Sequence, residues 1–297
     1  MTNSKLPTLN IIGAGRLGKT LGYLWQQSGT VELQAVCNRS LGSAQNAVEF
    51  MHGGQAYDDY AHLPTADLWL LACGDDQLYA CCEQLCQQQH FSGQEIIFHC
   101  SGALTAAEAL APAKAAGLAT ASIHPIKSFA DPQQAIHSFS TTHCGMEGDA
   151  AALEKLEPLF AALGAQLFPI KAEAKTLYHA ASVIACNYLV ALQELSIRTY
   201  AQAGVERGQA MQILQPIVQQ TAENIFRLGT QGALTGPIAR GDSRTVAKQL
   251  DALQDWDSDY AEIYRLLGQI ATQIAGNTAD PQGISLIRQL FEFEQQK

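Results

Sequence analysis

The chain has 297 residues, 47% of them hydrophobic and 15% charged, and a formal net charge of −10. These values exclude disorder, predict enough core for two domains, and disfavour nucleic acid as a partner, because no basic block stands out from the 18 Lys and Arg residues. The first residues lack a signal-peptide pattern, and no uninterrupted apolar run reaches the roughly 18 residues that span a membrane, so we expect a cytoplasmic protein with no membrane partner.

A glycine-rich turn follows the first apolar run of the chain. Gly13, Gly15 and Gly18 have the spacing Gly-x-Gly-x-x-Gly, and helical periodicity begins directly after them. In a dinucleotide-binding βαβ unit, such glycines let the backbone approach a pyrophosphate and let the helix pack closely on the strand. Free N–H groups at the start of the helix, where Arg16 and Leu17 lie, attract the phosphates. The turn therefore predicts a nucleotide site.

Strands and helices alternate through the first half of the chain. Apolar runs predict strands at 9–12, 31–36, 68–73, 95–99, 119–123, 141–146 and 165–169. Helical periodicity predicts helices after the glycine turn and at 42–51, 77–89, 105–116 and 149–163. Strict alternation is typical of a doubly wound parallel sheet, so we expect an α/β fold with an N-terminal Rossmann domain.

The second half of the chain has helical periodicity only. It predicts helices at 172–203, 206–228, 243–253, 257–275 and 281–295. Pro216 is expected to kink or divide the second of these. We therefore predict a Rossmann domain over 1–170 and an all-α domain over 171–297.

The end of the second strand bears on the choice of nucleotide. NAD-binding versions of this fold place a carboxylate there for the adenosine ribose, whereas this chain has Asn38, Arg39 and Ser40. Arg39 can pair with a 2′-phosphate, and Asn38 and Ser40 can donate hydrogen bonds to it. These residues favour NADP over NAD. The alternative is that Arg39 is a solvated surface arginine, which leaves the choice open.

Three further strand ends carry functional groups, and ligands in this fold bind beyond such ends. Cys73 and Gly74 end the strand at 68–73 and are expected to border the cofactor. Ser101 follows the next strand, and His124 precedes a proline at the end of the one after it. A histidine near its ordinary pKa can supply the proton that accompanies hydride transfer to a carbonyl, although a lone histidine at a strand end can equally be structural.

The helix predicted at 172–203 carries a polar stripe. Lys175, His179, Ser182 and Cys186 fall on one side of it among apolar residues, which predicts a cleft wall rather than a solvated face. A lysine there can polarise a carbonyl or hold a carboxylate.

A glycine-containing loop lies further along the chain. It carries Arg240, Asp242 and Arg244 before the helix at 243–253, and we expect these residues to bind an anionic substrate. The alternative is that Asp242 only caps that helix.

The eight cysteines form neither Cys-x-x-Cys pairs nor a disulfide spacing. Cys82 and Cys86 would share one helix face, but buried thiols in a core explain them more simply than a metal or redox role. We predict no metal site.

Four segments together resemble a known family. They are His99–Leu104, Ser122–Phe129, Lys175 with 178–181, and Leu234–Asp242. The chain resembles the Rossmann-like oxidoreductases that carry the domain of unknown function 2520. This resemblance implies a Rossmann domain followed by a helical domain like that of 6-phosphogluconate dehydrogenase, and a homodimer formed through the helical domain.

More distant resemblances suggest roles for individual residues. Ser101 and His124 are similar to the serine and histidine that contact the reacting hydroxyl in prephenate and arogenate dehydrogenases. Lys175 and position 179 are similar to the Lys-x-x-x-Asn of 3-hydroxyisobutyrate dehydrogenases and ketopantoate reductases, with His179 here in place of asparagine.

The sequence therefore predicts an NADP-dependent oxidoreductase that transfers a hydride between the nicotinamide and a small carbonyl/hydroxy or imine/amine substrate with a carboxylate. His124, assisted by Ser101, is the predicted proton donor, and Lys175 and His179 orient the substrate oxygen. Alternatives are a ketopantoate-reductase-like enzyme, a deazaflavin-linked oxidoreductase and a non-catalytic NADPH-binding sensor.

Overall fold

The computed structural model describes residues 5–276 and 280–292. The chain forms two compact units that divide between Ala185 and Cys186. Eight strands make up the sheet of the first unit: β1 (Thr8–Ile12), β2 (Glu32–Cys37), β3 (Gln55–Tyr57), β4 (Leu68–Leu71), β5 (Ile96–His99), β6 (Ala119–Pro125), β7 (His143–Gly148) and β8 (Gln166–Pro169). Their order in the sheet is β3-β2-β1-β4-β5-β6-β7-β8. The predicted α/β fold is thus confirmed.

Both faces of the sheet are covered, which explains why its central strands read as continuous apolar runs. Successive residues of β4 enter two different cores: Leu70 packs with Trp25 and Phe160, whereas Trp69 packs with Leu85 on the other face. The helices that cover the faces are α1 (Arg16–Ser28), α2 (Leu41–Met51), α3 (Asp75–Gln88), α4 (Ala106–Ala109), α5 (Ala111–Ala115), α6 (Pro132–His137) and α7 (Ala150–Ala161).

The sheet departs from the expected all-parallel arrangement at β7. This strand is antiparallel to β6, with His124 opposite Gly145, and parallel to β8. A parallel neighbour needs a crossover that returns the chain to the other end of the sheet. The link from β6 to β7 contains only the six-residue helix α6, and Ile126 already donates its backbone N–H to His143. The chain therefore re-enters the sheet at the edge where it left.

Two other predicted elements differ in detail. The helix expected at 105–116 is two short helices, because Pro112 lacks the N–H that a continuous helix needs and stands in the first turn of α5. The short edge strand β3 was not predicted, since three residues are too few to show alternation.

The helices that follow β8 begin in the first unit. A 3₁₀ turn (Ala172–Ala174) leads into α8 (Lys175–Ser182), and a π-helical turn (Val183–Asn187) leads on into α9 (Tyr188–Gln202). By length and composition alone, the run Ala172–Gln202 would suffice to cross a membrane. Such a test also accepts helices of soluble proteins, so the run is only weak support for a membrane span.

The remaining described residues of the second unit are helical. The helices are α9, α10 (Arg207–Ala233), α11 (Gly236–Arg240), α12 (Ser243–Trp256), α13 (Ser258–Ala275) and α14 (Pro281–Glu292). The non-helical residue inside α10 is Gly229, with φ +74°, rather than the expected Pro216. The last three residues of the helix predicted at 281–295 lie outside the described residues.

Candidate active site

The glycine turn joins the end of β1 to the start of α1. Gly13 has φ +78°, and a Cβ there would lie 2.8 Å from the backbone of Cys73. Glycine is thus required at 13 by the neighbouring strand end itself, and not only by a ligand as the sequence suggested. Gly18 packs against Ala72, as expected for close helix packing. At Gly15, by contrast, the nearest atom to a built Cβ is 3.9 Å away, so its backbone is open to a ligand.

The first turn of α1 fits a pyrophosphate. Gly15 is the N-cap, and within residues 5–276 and 280–292 no side chain caps this turn by accepting a hydrogen bond from its free N–H groups. Arg16 is exposed beside them, and Leu17 is half-buried. Uncapped N–H groups and the positive end of the helix dipole together form an anion site. The phosphates of a bound dinucleotide would accept hydrogen bonds from these free N–H groups beside the exposed Gly15.

Asn38 at the end of β2 has a different role from the one expected. Its Oδ1 accepts a hydrogen bond from Ala14 N at 2.7 Å, and its Nδ2 donates to Ser43 Oγ at 3.0 Å. Ser40 caps α2 by accepting from Ser43 N. Asn38 and Ser40 are therefore used within the protein. Among the described residues, Arg39 has no hydrogen-bond or ion-pair partner and is exposed. Of these three predicted residues, Arg39 is thus the one whose side chain is not used within the described part of the protein.

Cys73 and Gly74 lie beside the glycine turn, between β4 and α3. Cys73 touches Gly13, and Gly74 is the N-cap of α3 with no side-chain cap. Asp75 and Asp76 stand in the first turn of that helix, where their charges suit the helix dipole.

Two histidines meet at Gly102, in the loop that follows β5. A Cβ built on Gly102 would lie 2.7 Å from Nε2 of His124 and 2.5 Å from Nδ1 of His179. The ring centroids of the two histidines are 5.8 Å apart. His179 Nδ1 is buried and has no hydrogen-bond partner among the described residues. The structure thus brings together two predicted site residues that are 55 positions apart in sequence.

The imidazole of His124 stands in an environment that disfavours positive charge. Burial, together with the nearby His179 and Lys175, lowers the pKa of His124 to about 4. His124 is therefore neutral at physiological pH and holds one ring proton.

Ser101 is buried beside this pair and shapes the loop. Its Oγ accepts hydrogen bonds from the backbone N–H groups of Ala103 and Leu104, at 3.1 and 3.0 Å. These bonds hold the turn that carries Gly102. The hydroxyl proton of Ser101 is not used in them.

Lys175 does not face an open cleft. Its side chain is 1% exposed, and Nζ donates to Glu147 Oε1 at 2.8 Å and to Ser122 Oγ. Ser122 in turn donates to the backbone oxygen of Ser101. Burial lowers the pKa of Lys175, and the bond to Glu147 opposes this shift. Two of the three N–H donors of the Lys175 ammonium are thus used inside the protein, so this placement does not support the expectation that Lys175 touches the substrate oxygen.

The other predicted substrate residues are not brought to this cluster within the first unit. Ser182 is half-buried at the last position of α8. Arg240 and Arg244 are exposed in the second unit, and Asp242 caps α12 by accepting from Thr245 N and Oγ1. Asp242 therefore caps this helix, as the alternative in the sequence analysis stated.

Sequence reasoning missed several residues of the site. Glu147 could have been found as the carboxylate that directly follows the strand predicted at 141–146. Ser43 could have been found as the third residue after Ser40, which is the spacing of a helix cap. Tyr178 lies on α8 beside His179, and its contact with His124 could not be read from spacing. In the described residues, no group of three or more His, Cys, Asp or Glu side chains could hold a metal ion.

Comparison with known proteins gives a consistent assignment. A Rossmann-like domain model matches residues 2–125, and the domain of unknown function DUF2520 matches residues 142–271. A comparison with curated protein sequences gave no match.

Three solved structures illustrate the similarity of the fold. A protein from Thermotoga maritima is 25% identical to this chain. The structural alignment covers 90% of this chain and 98% of the Thermotoga protein, with a TM-score of 0.72. A protein described as an NADP oxidoreductase from Bacteroides fragilis is 18% identical, with the same coverage and a TM-score of 0.71. The imine reductase of Myxococcus stipitatus, solved with NADP+, is 20% identical. Its alignment covers 96% of this chain and 100% of the reductase, with a TM-score of 0.64. A variant of that reductase was solved with NAD+. The chain belongs to the Rossmann-like proteins that carry the domain of unknown function DUF2520.

Proposed function

We propose that the protein is an NADPH-dependent reductase of a small carbonyl or imine substrate. The observation that carries this proposal is the convergence of His124 Nε2 and His179 Nδ1 at Gly102. This point lies beyond β5 and β6, at the same edge of the sheet as the glycine turn that follows β1. Ligands of doubly wound sheets bind at this edge, so a dinucleotide on the turn and a substrate at the histidines share one crevice.

When bound, the cofactor supplies the hydride. Gly15 and the first turn of α1 hold its pyrophosphate, and Arg39 pairs with its 2′-phosphate, which is the support for NADP over NAD. The NADP oxidoreductase from Bacteroides fragilis and the imine reductase solved with NADP+ support this choice.

The neutral imidazole of His124 acts on the substrate atom that gains the negative charge. A neutral histidine can polarise a carbonyl by donating its ring N–H, and it can pass that proton to the reduced atom before regaining one from solvent. Ser101 and Gly102 shape the loop beneath it, and His179 Nδ1 offers a second polar contact to the substrate. Lys175 acts here as a positioning residue, because it holds Ser122 and the Ser101 loop without reaching the ligand.

This role for Lys175 weakens the ketopantoate-reductase-like alternative, which depended on an accessible lysine. The ion pair with Glu147 already neutralises the Lys175 ammonium, so this lysine does not offer a positive charge to the substrate. The site therefore favours substrates that carry no negatively charged group next to the two histidines. Binding of an anionic substrate by Arg240 and Arg244 stays a prediction from the sequence.

We further propose a soluble cytoplasmic homodimer that forms through the helical unit. Several large apolar side chains of α9 and α10 are exposed, among them Val190, Ile217 and Phe226, which is 90% exposed. Exposed apolar surface on this scale is typical of an interface, and a second copy covers it without a membrane.

The decisive experiment measures NADPH oxidation with a panel of oxo acids, ketones, aldehydes and cyclic imines. We expect turnover with at least one class, and its loss in His124→Gln, with His90→Gln, at an exposed position two residues after α3, as the matched control. Binding of NADPH without oxidation by any panel member would instead identify a sensor. Thermal shifts with NADPH and NADH show cofactor choice directly, because selective binding stabilises the folded state.

A further inference from the structure

Tyr178 lies behind the histidine pair, on the side away from Gly102. Its hydroxyl is 2.9 Å from Nδ1 of His124, and the two rings meet edge to face with centroids 5.6 Å apart. Phe168 of β8 packs against the ring of Tyr178, at 6.3 Å between centroids. The phenol is therefore held in place by packing, and His124 is the side chain to which its hydroxyl is bonded.

A glycine on β7 leaves the space that this hydroxyl occupies. A Cβ built on Gly145 would lie 2.7 Å from the Tyr178 oxygen. Gly145 stands directly opposite His124 in the antiparallel pair of β6 and β7. The strand β7, whose antiparallel direction the sequence did not predict, thus brings the backbone of residue 145, the phenol and the imidazole to one place.

The direction of the hydrogen bond follows from the protons available. Burial raises the pKa of Tyr178 to about 12, so the phenol keeps its proton at physiological pH. The backbone N–H of Gly145 can only donate to this oxygen, so among the described partners of the hydroxyl Nδ1 of His124 is the one that can accept the phenol proton. A neutral imidazole that accepts at Nδ1 carries its own proton on Nε2.

We propose that Tyr178 is a positioning residue that fixes His124 in the Nε2–H tautomer, with the proton directed toward Gly102 and His179. This inference rests on the proposed function, because the tautomer matters only if His124 acts on a substrate. It deepens that function by defining the substrate atom at His124 as a hydrogen-bond acceptor: a carbonyl oxygen or an unprotonated imine nitrogen. An iminium nitrogen, which is a donor, does not fit an N–H at that position.

The test is the nitrogen NMR spectrum of the full-length protein labelled with ¹⁵N in its histidines. Long-range proton–nitrogen correlations distinguish the two neutral tautomers, and the signals of His124 are those absent from His124→Gln. In the wild type at neutral pH we expect the Nε2–H pattern. In Tyr178→Phe, which keeps the ring but removes the hydroxyl, we expect a mixture of tautomers. Tyr79→Phe, at an exposed tyrosine of α3, is the matched control.

Kinetics give a second readout. Tyr178→Phe should lower kcat about tenfold or more and leave the KM for NADPH unchanged, since positioning of a proton donor typically contributes at least this much. An unchanged Nε2–H pattern in Tyr178→Phe, or an Nδ1–H pattern in the wild type, overturns the inference. If the tautomer shifts as expected but His124→Gln retains full turnover, the proposed function is wrong while the structural role of Tyr178 stands.

Discussion

Lys175 and Glu147 form an ion pair that is almost completely buried, with side chains 1% and 6% exposed and Nζ 2.8 Å from Oε1. Glu147 Oε1 also accepts the backbone N–H of Ala106 at the start of α4. The pair therefore joins β7, α8 and α4 to the Ser101 loop. Charged side chains are tolerated at such depth only when each has its partner.

Removing one partner should be far more costly than removing both. Lys175→Met leaves an unpaired buried carboxylate and should lower the free energy of unfolding by about 3–5 kcal/mol. The double variant Lys175→Met/Glu147→Gln should recover part of this loss, because no net charge is then buried. Urea unfolding of the two variants and the wild type measures the difference. Equal stability of Lys175→Met and wild type would contradict the buried pair.

Stability should fall on mild acidification because of His124. Its pKa in the folded protein is about 4, against about 6.5 unfolded, so the unfolded state binds more protons between these values. The contribution of His124 is fully present above pH 6.5 and is lost as the pH falls toward 4. Between pH 7 and pH 5 the loss should be about 2 kcal/mol.

His99 also contributes to the fall in stability on acidification, because burial lowers its pKa to about 3. His124→Gln should therefore remove only part of the pH dependence of urea unfolding, with His90→Gln measured alongside as the exposed control. A slope that is identical in His124→Gln and the wild type would show that His124 is not buried as neutral imidazole.

Gly102→Ala should separate catalysis from cofactor binding. The added methyl group would overlap both imidazoles and displace them, and a displacement near 1 Å costs about a hundredfold in turnover. NADPH affinity should stay close to that of the wild type, because Gly102 follows β5, which is separated from β1 and its glycine turn by β4. Gly208→Ala is the control, since nothing lies within 4 Å of a Cβ there. Full turnover in Gly102→Ala would refute the histidine site.

Arg39→Ala should reduce affinity for NADPH and leave affinity for NADH unchanged. Loss of one charge-assisted phosphate contact weakens binding about ten- to a hundredfold. Titration with both cofactors provides the control within one variant. If NADPH and NADH lose affinity equally, Arg39 contributes to the general charge of the site and not to the 2′-phosphate.

Phe226→Asp should convert the expected dimer into a monomer. A charge placed at the centre of an apolar interface is desolvated without a partner. Size-exclusion chromatography with light scattering measures the mass of the variant and of Tyr79→Asp, an exposed position in the first unit. A dimer that persists in Phe226→Asp excludes this part of α10 from the interface.

Periodicity was sufficient to predict the fold, because buried parallel strands and amphipathic helices leave strong local patterns. The direction of β7 was not predictable in this way, since parallel and antiparallel strands have the same alternation. At the site, strand ends and glycines identified Gly13, Ser101 and His124 as candidates. The burial of Lys175 was not predicted, because its partner Glu147 is 28 residues away and acts through tertiary contact alone.

The side chain of Asn38 has a consequence for changing the proposed cofactor preference of this protein. One amide group supports the backbone of the glycine turn through Ala14 and the start of α2 through Ser43. The loop proposed to select the cofactor is thereby tied to the turn proposed to bind its pyrophosphate. Replacements at Asn38 would damage affinity and selectivity together, whereas Arg39 can vary alone. Adaptation toward NADH, in the laboratory or in evolution, should therefore proceed through Arg39 and keep the asparagine.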